Sequence, residues 1–182
     1  MAADRTGWTG VKLTPVIIID TREQSPFTFA NLPSEPGTLD TGDYSVRGLE
    51  RLVAVERKSL DDLLACVGRE RDRFKRELQR LRAYRFRLLI VEASAADLEQ
   101  GVYPQGAYPL NPQGARPLWR SKLTPAHVLG SLAAWTAQYT LPVWLGGTHD
   151  ESGRFVERFL YQAARTVAGE AEAVFGKLKE SA

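Results

Sequence analysis

Hydrophobic positions follow two different periods along this chain, and the change from one to the other falls near residue 60. Val16-Ile17-Ile18-Ile19 is a β-branched run closed by Asp20, short enough for a strand buried on both faces. Residues 1 to 15 mix Gly, Thr and Trp without a period and read as a flexible leader. Asn31 to Gly37, with Pro33 and Pro36, reads as a turn region, and Thr41-Gly42-Asp43 as a second turn leading into Tyr44-Ser45-Val46. Leu52 to Lys58 then alternates, with Val53 and Val55 on one face and Ala54, Glu56 and Lys58 on the other.

From Leu60 the spacing becomes helical. Leu60, Leu63, Leu64, Val67, Phe74, Leu78 and Leu81 predict one amphipathic helix of about twenty residues, with Ser59 as its N-cap. Phe86 to Val91 returns to a strand pattern that ends at Glu92, and Gly101 to Leu123, with four prolines and three glycines, is a long loop. Thr124-Pro125 opens a helix with an apolar face at Val128, Leu129, Leu132 and Trp135. Leu141 to Leu145 is a short strand broken by Gly146-Gly147, and residues 151 to 180 are helical. Strand, helix, strand over 86 to 145 implies a crossover connection, so the chain reads as an α/β domain with helices on a central sheet. It contains no internal repeat and no low-complexity tract.

Composition narrows the classes. With 43% hydrophobic and 25% charged residues in 182, one globular core is the default. No apolar run approaches the about 18 residues of a membrane span, and the first residues lack a signal-peptide plan, which points to an intracellular protein, cytoplasmic or associated with the nucleoid. A single cysteine, Cys66, excludes an internal disulfide and reads as an inert core thiol. With only His127 and His149 beside it, a four-ligand zinc site is hard to build. Any metal is therefore held mainly by oxygen. The net charge of +2 conceals an uneven distribution: between Arg69 and Arg87 nine Lys/Arg face Glu70, Asp72 and Glu77, a local +6.

Three acidic groups fall where strands end or turns begin: Asp20-Thr21-Arg22-Glu23, Gly42-Asp43 and Glu56-Arg57-Lys58. In an α/β sheet such ends converge, so carboxylates distant in sequence meet at one edge. Two or three carboxylates form a hard oxygen site for Mg²⁺ or Mn²⁺, and a lysine two residues from Glu56 projects from the same strand face. That combination suits phosphodiester hydrolysis. Taken singly, each pattern is also common on solvated surfaces, and Asp62, three residues after Ser59, also reads as part of a helix cap.

Taken together and in this order, Ile-Ile-Asp-Thr-Arg-Glu, Gly-Asp-Tyr and Val-Glu-Arg-Lys-Ser-Leu-Asp-Asp-Leu resemble the nuclease domain of the XPF-type structure-specific endonucleases. Gly42-Asp43, Glu56-Arg57-Lys58 and Asp62 match that family's fixed positions, and the similarity spans roughly residues 16 to 145. The resemblance implies a restriction-endonuclease-like fold of the PD-(D/E)XK type, with a central mixed sheet flanked by helices. It also implies a divalent cation, Mg²⁺ or Mn²⁺, and cleavage of branched, flap or fork DNA at junctions of double and single strands. It makes Asp43 and Glu56 metal ligands, with the Arg57 carbonyl as a third, and Lys58 the catalytic lysine. Asp20, Arg22, Glu23 and Asp62 become supporting residues, and Arg22 and Arg57 face phosphate. On a regular strand, however, the Arg57 side chain points away from Glu56 and Lys58 and can instead bridge to a helix.

The span 16–182 reads as a single nuclease domain, without the helix-hairpin-helix and helicase domains that members often carry. With no phosphate-binding Gly-Lys motif, no nucleotide cofactor is expected. A second copy or another protein is therefore expected to supply further grip on DNA, through the apolar face near Val128, Leu132 and Trp135 or near Phe155 and Phe159, unless these faces bury against the sheet. Arg69, Arg73, Lys75, Arg76 and Arg80 are the candidate DNA-binding residues, the other reading being a solvated helix face of paired charges. Tyr103, Tyr108, Arg116, Trp119 and Arg120 could stack on unpaired bases or pack as a lid. His127 and His149 read as surface helix and turn residues that the chemistry does not need. The alternatives are a catalytically silent DNA-binding scaffold and an exonuclease or restriction-type enzyme on the same fold.

Overall fold

The β-branched run forms β1 (Ile17–Asp20), at the centre of one half of a six-stranded sheet that also contains β2 (Ser34–Gly37), β3 (Tyr44–Val46), β4 (Val53–Lys58), β5 (Phe86–Val91) and β6 (Val143–Leu145). The computed structural model describes residues 13–180, side chains of 175–180 excepted. Strand order is β2-β1-β3-β4-β5-β6; β1 runs parallel to β2 and antiparallel to β3, β3 is antiparallel to β4, and β4, β5 and β6 are mutually parallel. The sheet is mixed, as the resemblance implied. Of the segment read as a leader, residues 1–12 lie outside the described residues, while Leu13 packs against the core.

Side-chain alternation on the central strands divides the interior. Ala54, Leu89 and Val91 face α1 (Leu60–Val67), α2 (Arg71–Leu81), α3 (Ala95–Gln100) and α4 (Pro125–Tyr139). Val53, Val55, Leu88 and Ile90 face α5 (His149–Glu180). The sheet is thus covered on both sides, which explains why β4 and β5 are apolar at successive positions. The α4 face with Val128, Leu132 and Trp135 buries against α1, α2 and α3, the α5 face with Val156 and Leu160 buries against the sheet with Phe155 and Phe159 only partly buried beside it, and Cys66 is buried in the first cluster. Among the described residues no helix is long and apolar enough to cross a membrane.

Two expectations are corrected. The segment with Pro33 and Pro36 forms the edge strand β2, because a proline lacks a ladder donor and an edge strand can spare one. The twenty-residue helix is two helices, broken at Gly68, whose backbone leaves the helical region. Ser59 caps α1 as expected, its hydroxyl accepting from the Asp62 amide. The short helix α3, capped by Ser94 with a reciprocal Asp97 contact, went unread because six residues give too little periodicity.

Candidate active site

The C-terminal ends of β1, β4, β5 and β6 and the start of β3 share one edge of the sheet, and the acidic motifs lie there. Asp43 is pinned from both sides. Its carbonyl accepts from the Asp20 amide at 2.9 Å, its amide donates to the Val55 carbonyl at 2.7 Å, and its Oδ2 accepts from the Arg57 amide at 2.7 Å. The Gly of Gly-Asp has a steric cause: Gly42 has φ of 83°, and a Cβ there would lie 2.9 Å from the Val55 carbonyl oxygen.

Glu56 is 3% exposed and lies on the α2 side of β4. Lys58, on the same face, bonds to Glu56 Oε1 and donates to the Arg57 carbonyl at 3.1 Å, with its Nζ 5.3 Å from the Phe74 ring centroid. Burial pushes both carboxyls up, Asp43 to about 6, and each is raised further by neighbouring acids, including Glu77 on α2. Lys58 moves the same way for a different reason: the charges of Glu56 and Asp43 outweigh its burial and hold it firmly protonated.

Arg57 projects to the opposite face, as strand geometry required. It is 9% exposed, donating from Nε and Nη2 to Glu92 at 2.6 and 3.1 Å and from Nη1 to Glu23 at 3.1 Å, with Phe27 beneath its guanidinium. It bridges two strand ends through their acids. Glu92 also bonds His149 Nδ1 at 2.8 Å, so the histidine read as an idle turn residue joins α5 to this network. Glu92 and His149 were both missed as site residues, although an acid closing β5 repeats the signal used for Asp20.

Asp20 and Arg22 form a pair of their own. The Asp20 carboxylate, 2% exposed, accepts from the Arg22 amide, Nε and Nη2 and from the Leu39 amide, and is held below its ordinary range by these bonds despite burial. With four donors on two oxygens it positions Arg22, whose side chain is 68% exposed beside the site. Asp62 is exposed and bonds Ser59, so the cap reading accounts for its contacts. Its neighbour Asp61 accepts from the Tyr103 and Tyr108 hydroxyls at 2.7 and 2.8 Å, tying the long loop to α1.

The basic residues divide similarly. Arg71 is committed to the Val67 carbonyl and Ser131, Arg85 to Glu170, and Arg87 to the Tyr84 and Thr140 carbonyls. Arg73, Lys75 and Arg80 pair with Glu70, Asp72 and Glu77 one turn away, and Arg69 lies 3.7 Å from Glu70. Arg76 is exposed and has no ion pair among the described residues. In the loop, Trp119 and Tyr103 are buried and Arg116 pairs with Asp97, which leaves Tyr108 and Arg120 at the surface.

Among the described residues no three acidic, histidine or cysteine side chains stand close enough to hold a metal by themselves. Asp43, Glu56 and the Arg57 carbonyl supply three hard oxygens without sulfur or imidazole. Two carboxyls pushed up chiefly by burial, Asp43 further by the charges of Glu23 and Glu77 and Glu56 by those of Asp43 and Glu77, make a site that a cation would relieve. The donor set fits Mg²⁺ or Mn²⁺.

Residues 19–159 match the family profile of the ERCC4 domain. No curated protein matches the chain by sequence. Among solved structures, XPF from Aeropyrum pernix superposes with a TM-score of 0.57 at 16% identity, covering 91% of this chain and 73% of that one. XPF from Aeropyrum pernix in complex with DNA gives 0.58 at 18%, covering 84% and 66%. The fold is therefore the restriction-endonuclease-like fold that the motifs implied.

Proposed function

The chain belongs to the ERCC4 domain family, and from that premise we propose that it is a divalent-metal-dependent endonuclease that hydrolyses phosphodiester bonds in branched, flap or fork DNA during repair, recombination or replication inside the cell. Residues 16–182 are taken as one nuclease domain. One observation carries the reading: Asp43, Glu56 and Lys58 meet at a sheet edge with Glu56 buried, Asp43 half-buried and both carboxyls raised. Burying two like charges is costly for a purely structural purpose and useful at a site that takes up a cation. The DNA-bound structure of a protein with this fold supports DNA as partner.

Asp43, Glu56 and the Arg57 carbonyl would hold the metal, and when bound it would neutralise phosphate charge and lower the pKa of a coordinated water. Lys58 is held cationic by Glu56 and Asp43, so it acts as a fixed positive charge and donor toward the anionic transition state rather than as a base. Arg57 works through its neighbours. Its amide orients Asp43, and its buried side chain locks the ends of β4 and β5 so that Glu56 and Lys58 keep their spacing. Arg22, exposed and oriented by Asp20, faces the approaching phosphate backbone.

The test uses end-labelled duplex, single-strand, flap and fork DNA with Mg²⁺, Mn²⁺ or EDTA. Cleavage of flap or fork near the junction in either metal, absent in EDTA, is expected. Tight binding without cleavage in any metal would contradict the enzyme and favour the silent scaffold.

A further inference from the structure

Beside the catalytic row lies a cleft that the hydrolysis itself does not use. Its volume is about 500 Å³, within the range of small-ligand sites, and its walls come from three places. Ser59 and Asp61 stand at the start of α1, immediately after Lys58; Tyr103 and Tyr108 come from the long loop; Glu92 and His149 come from the ends of β5 and the start of α5. Two rings on separate elements remain open, Tyr108 at 37% exposed and the His149 side chain at 37%. The Tyr103 and Tyr108 rings stand 4.4 Å apart, and both hydroxyls are fixed on Asp61, so this aromatic wall is already ordered. No lysine or arginine lines the cleft, whereas Asp61, Glu92 and Asp150 do. A phosphate would be repelled there, while a flat neutral ring bearing N–H donors would meet aromatic surface and the exposed Asp150 carboxylate, which has no hydrogen bond or ion pair among the described residues, Asp61 and Glu92 being held by their own partners.

The charges that the cleft lacks line the groove next to it. That groove, about 590 Å³, shares Asp61 and is lined by Arg69, Arg120 and Lys122. Arg120 also sits 5.7 Å above the Tyr108 ring, at the boundary between the two.

We propose that the aromatic cleft receives an unpaired nucleobase of the branch strand while that strand's phosphates follow the Arg69, Arg120 and Lys122 groove; the proposal rests on the nuclease reading. Duplex DNA cannot offer a base without unpairing it, so the cleft selects junctions over continuous duplex.

The test measures binding of the full chain, in EDTA, to fork DNA with normal or abasic nucleotides next to the junction, and to plain duplex. For the wild type, abasic sites are expected to weaken fork binding about tenfold, as the loss of one stacked base does. Tyr108→Ala should show about that loss with normal bases and little further loss with abasic ones. Its duplex affinity should be unchanged, and Tyr108→Phe, which keeps the ring, should stay near wild type. Abasic forks bound as well as normal ones, or an equal loss on duplex and fork in Tyr108→Ala, would overturn the proposal. Parallel cleavage of the fork in Mg²⁺ separates the two readings. Cleavage with base-independent binding sinks the cleft alone, and base-dependent binding without cleavage sinks the nuclease reading alone.

Discussion

Asp43 makes its contacts only because the residue before it is glycine: at Gly42 a Cβ would lie 2.9 Å from the Val55 carbonyl oxygen, and without one the backbone passes and the Asp43 carboxylate turns onto the Arg57 amide. Burial and the neighbouring acids raise its pKa from 3.8 to about 6. The folded state therefore retains a proton that the unfolded state releases, so stability falls as pH rises between about 4 and 6 and stays reduced above that window. Asp43→Asn keeps the amide contact and removes the titration. In EDTA at pH 8 the variant should be more stable than wild type by about 1 to 3 kcal/mol, with the gap closing at pH 4. Thermal melts at the two pH values check this. A variant less stable than wild type at pH 8 would mean that the carboxylate is a structural anchor. The motif residues were legible because their chemistry is carried by type and spacing. Glu92 carries the same strand-end signal as Asp20, but its pairing with His149 was not legible, because 57 residues separate them and only the parallel register of β4, β5 and β6 brings them together.

At the scale of elements, the strands of the central sheet were legible because short continuous apolar runs such as Ile17–Asp20 and Phe86–Val91 mark strands buried on both faces. β2 was not, since Pro33 and Pro36 carry a turn signal and only the pairing with β1 makes a strand of them. The break at Gly68 was hidden because the apolar residues of α1 and α2 remain in phase across it. Helix α2 bears half of the basic excess, yet Arg73, Lys75 and Arg80 pair with acids one turn away and Arg71 is held by the Val67 carbonyl and Ser131, which leaves Arg76 over. Exposed pairs of this kind contribute little to stability, so a phosphate can displace the carboxylate partner. Replacing Arg73 and Arg76 together by Gln should weaken DNA binding and reduce the slope of log affinity against log salt by about one unit per lost phosphate contact. Affinity titrations at several salt concentrations measure it, and an unchanged slope would leave α2 as a solvated face.

Across the whole molecule the sheet acts as an aligning device. Antiparallel pairing of β3 with β1 and β4 brings Asp20, Asp43 and Glu56 to one edge, and parallel pairing of β4, β5 and β6 adds Glu92 and the start of α5. The two faces then take different tasks. Glu56 and Lys58 point to the α2 side, where the proposed hydrolysis would take place, while Arg57 points to the α5 side and fixes the strand ends. The measurement closest to this account is Mg²⁺-dependent cleavage of flap DNA by wild type, Asp43→Asn and Glu56→Gln, with DNA affinity determined in parallel. The expected result is a loss of cleavage of about a hundredfold or more in each variant with affinity nearly unchanged. Cleavage near the wild-type rate by either variant would contradict the placement of the metal centre at this edge.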